Sequence, residues 1–150
     1  MSDILKPDFR DFIHALNSND VEYILVGGYA VVIHGYSRTT GDMDIWVNRT
    51  EENYLKLLNA FKQFGMPEFD MTKENFLYHK SWDVFRFGRK PVAIDIMTKM
   101  GEFNFKDCYE QSQLFEDDDL KIRVIHYNHL INAKKAAGRG RDIEDIKNLE

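Results

Sequence analysis

The sequence predicts an α/β (α+β) domain built on a mixed sheet, and three observations lead there. Short apolar runs of strand length alternate with stretches of helical periodicity, and glycine, proline and small polar residues punctuate the joins. The chain has 150 residues, 43% hydrophobic and 30% charged, which is material for one buried core and little for a second. A single domain over 1–150 is therefore expected, with a core at 22–97 and a short helical extension at 128–150.

The elements follow in order. Residues 8–17 read as a helix, because Phe9, Phe12, Ile13 and Leu16 share a face and Pro7 precedes them. Residues 22–26 form an apolar run that stops at Gly27-Gly28, where a second helix starts and runs to about Gly35. A loop at 37–41 leads into a strand at 42–47. Thr50 is placed to cap a helix over 51–64, with Tyr54, Leu57, Leu58 and Phe61 inward and Gly65 closing it. The stretch 66–81 holds a short helix near 74–78. Residues 84–87 and 92–97 read as a hairpin around 88–91, followed by a helix at 105–113. Leu114-Phe115 and 120–124 pair across a turn at 117–119. Asn128 and Asp142 are expected to cap two C-terminal helices.

Composition narrows the function. The net charge is −5, which argues against a surface coated for nucleic acid, although a local basic patch remains compatible with phosphate binding. The lone cysteine, Cys108, excludes an internal disulfide and points to a reducing compartment. The N-terminus lacks a signal-peptide pattern, and no stretch approaches the roughly 20 apolar residues of a membrane helix. A cytoplasmic protein with no membrane partner is the expectation.

The chemistry concentrates in three carboxylates. Side chains alternate along a strand, so Asp42 and Asp44 share a face while Met43 and Ile45 point to the core. Two like charges at this spacing repel. A divalent cation removes that cost, and Mg²⁺ favours one or two carboxylates together with phosphate oxygens. Asp95, between Ile94 and Ile96, repeats the design on a second strand. If the two strands are neighbours, three carboxylates can hold two metals. The bland alternative for Asp42-Met-Asp44 is a solvated strand edge; a lone Asp95 in an apolar strand is harder to explain that way. Gly27-Gly28, between strand and helix, offers backbone N–H groups for phosphate, although a Gly-Gly there is commonly just a tight turn.

Together these residues resemble the nucleotidyltransferase superfamily typified by DNA polymerase beta: strand, Gly-Gly, helix, Asp-x-Asp, then a lone Asp on a later strand. Gly27-Gly-Tyr-Ala-Val-Val-Ile-His-Gly35 and Arg38-Thr-Thr-Gly-Asp-Met-Asp44 are similar to motifs of a bacterial branch related to abortive-infection (type IV toxin–antitoxin) nucleotidyltransferases. Lys134-Lys-Ala-Ala-Gly-Arg-Gly-Arg-Asp-Ile-Glu-Asp145 looks like the C-terminal element of the same proteins. The resemblance implies a nucleotidyltransferase-like mixed sheet flanked by helices. It also implies transfer of a nucleoside monophosphate from an NTP, with two Mg²⁺ or Mn²⁺ ions held by Asp42, Asp44 and Asp95. The acceptor is an RNA 3′ end such as that of tRNA, a protein or a small molecule. Gly27, Gly28, Arg38, Thr40, Lys134 and Arg139 are the nucleotide-binding candidates. Gly28 stands where many members have Ser, and little chain is left for the additional helical domain of many stand-alone enzymes. Completion of the acceptor site by a partner protein or a second copy is thus one expectation.

Each supporting residue has an ordinary alternative. Arg38 in a loop can simply be solvated. His34 is expected to donate to a local carbonyl at its helix end, and His14, His79, His126 and His129 show no metal-ligand spacing. The run from Lys134 to Arg141 holds no acidic residue in an acidic protein, so Lys134 is a candidate triphosphate contact as well as a helix-end charge. Asp142 and Asp145 are expected to cap and to orient Arg139 or Lys134. Tyr78 and Trp82 are expected in the core, with base stacking as the alternative. A non-catalytic antitoxin or regulatory subunit with this fold, and an unrelated α/β domain with chance motifs, are the competing readings.

Overall fold

The computed structural model describes residues 5–36, 40–89 and 92–150. Its centre is a six-stranded mixed sheet in the order β3-β4-β2-β1-β6-β5. The strands are β1 (Tyr23–Val26), β2 (Asp42–Val47), β3 (Val84–Arg89), β4 (Val92–Met97), β5 (Gln113–Asp117) and β6 (Leu120–Val124). The helices are α1 (Pro7–Ser18), α2 (Gly27–Ile33), α3 (Glu51–Phe64), α4 (Lys73–Leu77), α5 (Phe105–Gln111), α6 (Tyr127–Ala137) and α7 (Gly140–Leu149). This is the predicted mixed α+β architecture.

Two pairings position the functional residues. β1 runs antiparallel to β2, with Val26 opposite Asp44. β2 runs parallel to β4, with Asp44 opposite Asp95. Alternation then sorts the sheet into two faces. Met43, Ile45, Ile94 and Ile96 lie on one face and are fully buried or nearly so. That face carries α1 and α3: Phe12 meets Phe61 and Phe64 edge-on, and Phe61 meets Phe87 of β3. The other face carries Asp42, Asp44 and Asp95, and further along Trp46, whose ring packs edge-on against Phe105 of α5 at 5.1 Å. The sheet is thus anchored from behind, and its front carries both the carboxylates and apolar side chains, Trp46 among them against α5.

Local chemistry explains the element boundaries. Thr50 accepts from Asn53 N–H at 3.1 Å and Gly65 closes α3 in the left-handed region at φ 89°, as the sequence indicates. Asn53 itself is buried and saturated. It accepts from Glu22 N–H (2.8 Å) and donates to Glu22 and Asn48 carbonyls (3.0 and 2.9 Å), tying the entry of β1 to the exit of β2.

Several expectations need correction. The cap of α6 is His126, whose Nδ1 accepts from Asn128 N–H at 3.0 Å, so Asn128 lies inside the helix. The last helix begins at Gly140 with Arg139 at the N-cap position; Asp142 does cap it, but from the first turn, its Oδ2 accepting from Arg139 N–H at 3.2 Å. His34 does end α2, but its Nε2 meets the carbonyl of Ile125 at 2.7 Å, a partner 91 residues away and on the far side of β1. Tyr78 is 67% exposed and so is not a core residue, while Trp82 is half-buried and stacks on Phe85. Cys108 is buried. Among the described residues no helix is long and apolar enough to cross a membrane.

Candidate active site

The site begins with the turn after β1. Gly27 adopts φ +70°, a left-handed conformation, and a Cβ built there would stand 2.2 Å from Asp44 Oδ2. Any side chain at 27 would therefore push Asp44 out of place, besides being strained. Tight apposition of this turn to β2 is what brings the Gly27-Gly28 backbone beside the carboxylates.

The parallel register of β2 and β4 sets Asp44 beside Asp95, and Asp42 precedes them on the same face. Burial, then the closeness and charge of Asp95, then Asp42, push Asp44 up to about 7, with Lys134 opposing. Burial and the neighbouring carboxylates thus both disfavour a negative charge on Asp44.

Among the described residues one cation pairs directly with these carboxylates, and it is a residue that the sequence reading missed. Arg86 of β3 donates from one guanidinium nitrogen to Asp42 Oδ2 and to Asp95 Oδ2, both at 3.0 Å. Those contacts hold Arg86 above its usual value, the hydrogen bond to Asp95 contributing most. A partial signal was available: Arg86 sits between Phe85 and Phe87 and so points away from the core, but the turn expected at 88–91 would set it opposite Ala93, and only the observed register, with Arg89 opposite Val92, sets it opposite Asp95.

The donor set suits Mg²⁺ or Mn²⁺. Hard carboxylate oxygens are what these ions take. Asp42 Oδ1 and Asp95 Oδ1 are buried and lack any hydrogen-bond partner, so two acceptors face inward unused. Arg86 shows that a positive group between Asp42 and Asp95 is accommodated. Among the described residues no three acidic, His or Cys side chains form a preformed metal cage. Mg²⁺ does not require one, since it keeps waters and takes phosphate oxygens alongside one or two carboxylates.

Behind the carboxylates lies a second charged cluster. Lys134 Nζ pairs with Asp142 (3.2 Å) and Asp145 (3.1 Å), and Arg139 Nε pairs with Asp142 at 2.6 Å. Asp142 and Asp145 are 0% and 1% exposed and Lys134 7%. Burial opposes ionisation of Asp142, but the bonds from Arg139 and Lys134 outweigh it and hold this carboxyl below its ordinary value. The expectation that these aspartates orient Lys134 and Arg139 therefore matches the geometry. Both cations still reach the site, where Lys134 lowers Asp44 and Asp44 raises Arg139.

A polar cavity of about 490 Å³ joins these parts. Its walls include Gly27, Gly28, Thr40, Asp42, Asp44, Arg86, Asp95, Lys134 and Arg139. Every site residue expected from the sequence is thus in one place except Arg38, which lies outside the described residues.

A glycine turn locked onto Asp-x-Asp, a third carboxylate in register on the neighbouring strand and a basic wall sit on a nucleotidyltransferase-type fold. The chain belongs to the family described as nucleotidyltransferase of unknown function (DUF6036), whose profile matches residues 8–150. Its fold is similar to that of TM1012 from Thermotoga maritima, provisionally assigned as a nucleotidyltransferase: TM-score 0.60, 15% identity, 93% of this chain and 88% of that one. It is also similar to an antigenic nucleotidyltransferase-like protein from Paracoccidioides brasiliensis (0.59, 14%, covering 95% and 74%). A third likeness is to the lincosamide antibiotic adenylyltransferase LnuA in its lincomycin-bound form (0.59, 16%, covering 97% and 96%). No curated protein matches the sequence. At these identities the structural likeness establishes the fold.

Proposed function

We propose that this chain transfers a nucleoside monophosphate from an NTP to a hydroxyl or phosphate acceptor on an RNA end, a protein or a small molecule, with Mg²⁺ as cofactor. One observation carries the reading: Asp42, Asp44 and Asp95 converge from neighbouring strands in register and leave two buried oxygens without a partner.

Bound Mg²⁺ would supply charge neutralisation of the phosphates and of the developing negative charge. Asp42, Asp44 and Asp95 would hold the ions, and Asp95 would also take the proton of the acceptor hydroxyl. The acceptor oxygen attacks the α-phosphorus; the bond from that phosphorus to the bridging oxygen breaks, and pyrophosphate leaves with the electron pair. The Gly27 and Gly28 amides and Thr40 border the phosphate space, and Lys134 and Arg139 face it with positive charge fixed in advance by Asp142 and Asp145. Preorganised charge of this kind costs no reorientation during the reaction. Arg86 must leave Asp42 and Asp95 for an ion to enter, and its 48% exposed side chain has open solvent to move into.

The test is transfer of label from α-³²P NTPs, with Mg²⁺ and a cell extract supplying acceptors. Asp95→Asn is expected to lower transfer by on the order of 10²–10³-fold while NTP binding persists. Folded protein that binds Mg²⁺ and transfers no label from any NTP would refute the catalytic reading. Arg86 in the cation position favours the second reading, a nucleotide-binding antitoxin or regulatory subunit, and that outcome would select it.

A further inference from the structure

Beside the polar cavity lies an apolar one of about 350 Å³, between Val26, Asp44 and Met97 of β1, β2 and β4, residues of the segment 98–104, and helix α6. The two share a wall of Gly27, Asp44, Lys134 and Arg139. Beyond that wall the lining changes character to Met97, Met100, Phe103, Ile125, Leu130 and Ala133. Met97, Met100 and Phe103 are only half-buried, so apolar surface is left open there. Three alanines of α6, Ala133, Ala136 and Ala137, border the space where longer side chains would fill it. Outside the shared wall the charged residues among the described lining are Lys99 and Asp142, and Asp142 is already paired with Lys134 and Arg139.

We infer that this apolar chamber takes the nucleoside end of the NTP, held by burial of the base faces with little reading of the base edges, so that purines bind better than pyrimidines. The inference rests on the nucleotidyl-transfer reading. An NTP has a polyanionic end and a flat, weakly polar end, and the paired chambers offer a charged space and an apolar one with fixed cations between them. A cavity of this volume is in the range of small-ligand sites, which are mostly apolar with a few placed polar groups.

The acceptor fits this chamber less well than the nucleoside does. Its hydroxyl must reach Asp95, and neither Asp95 nor Asp42 borders the apolar space. Gly27, Lys134 and Arg139, the groups assigned to phosphate, do. The chamber therefore meets the phosphate site from the side away from the carboxylate that would receive the acceptor proton. Its walls supply contact area through methionine, phenylalanine and aliphatic carbons, and area favours the larger ring system.

Calorimetric titration with Mg²⁺ and three probes separates the possibilities: tripolyphosphate, and the α,β-methylene analogues of ATP and CTP. Wild type is expected to bind the ATP analogue at least about tenfold tighter than tripolyphosphate, with the CTP analogue between them. Ala133→Trp fills the chamber and is expected to bring both nucleotides down to the tripolyphosphate level while leaving tripolyphosphate unchanged. Should that variant misfold, Phe103→Ala and Met100→Ala remove wall area, and the nucleotide advantage is expected to shrink in each. Equal binding of all three probes to wild type would overturn the inference and leave the phosphate site standing. A nucleotide advantage that survives all the variants would place the base elsewhere, overturning it as well. Absence of binding by any probe would remove the parent reading with it.

Discussion

Two charged clusters stand side by side in this protein and are built on opposite principles. At the C-terminal end, Lys134 and Arg139 face Asp142 and Asp145, two positive groups against two negative, with the aspartates and Lys134 almost wholly buried. At the sheet, among the described residues, Asp42 and Asp95 share the half-exposed Arg86, and Lys134 and Arg139 act on Asp44 without pairing with it; Asp44 is pushed up to about 7 and two carboxylate oxygens lack hydrogen-bond partners. The balanced cluster is finished within the chain. The unbalanced one is completed only by added positive charge. Structural ion networks are expected to saturate themselves, since a buried unpaired charge is costly. A binding site must keep its deficit, and the carboxylates keep theirs.

The contrast makes removal of a carboxylate change stability in opposite directions in the two places. Asp142→Ala leaves Arg139 without the carboxylate it donates to and Lys134 with half of its pairing, and is expected to cost about 3–5 kcal/mol in urea unfolding. A loss below about 1 kcal/mol would mean that the C-terminal cluster is not the structural one.

Asp44→Asn is expected to stabilise the metal-free protein at pH 8, by on the order of 1–3 kcal/mol. The folded pKa of Asp44, about 7, is above the ordinary 3.8. Its favourable contribution is therefore complete below about pH 4 and is lost as pH rises toward and through 7. Wild type should fall relative to Asp44→Asn across that window, and saturating Mg²⁺ should restore it. A gap that does not change with pH would contradict the charge deficit.

The smallest effect concerns the stand-in cation. Arg86→Gln removes a competitor for Asp42 and Asp95, so Mn²⁺ binding without nucleotide, followed by paramagnetic resonance, is expected to tighten about three- to tenfold. Weaker Mn²⁺ binding would instead show that Arg86 holds the carboxylates in position for the ion.

Much of this was legible in the chain. The boundaries of α3 follow from Thr50 and Gly65, because capping is a local bargain between a side chain and the nearest backbone. The common face of Asp42 and Asp44 follows from strand alternation alone. The cap of α6 misled because His126 accepts where Asn128 is the commoner choice, and both stand at the same chain turn. The partner of His34 was illegible, since Ile125 comes beside it only after β6 has docked along β1.

By itself the sequence determined the residue types of the site, their spacing and the strands that bear them, because these depend on periodicity and on neighbours within a few residues. Only the tertiary structure decided that β2 and β4 are adjacent and parallel, which turns three aspartates into one cluster. It also decided that Arg86 occupies that cluster, that Lys134 is spoken for by Asp142 and Asp145, and that an apolar chamber adjoins the charged one. Those outcomes depend on which distant segments share a wall, and long-range packing sets that while local pattern does not.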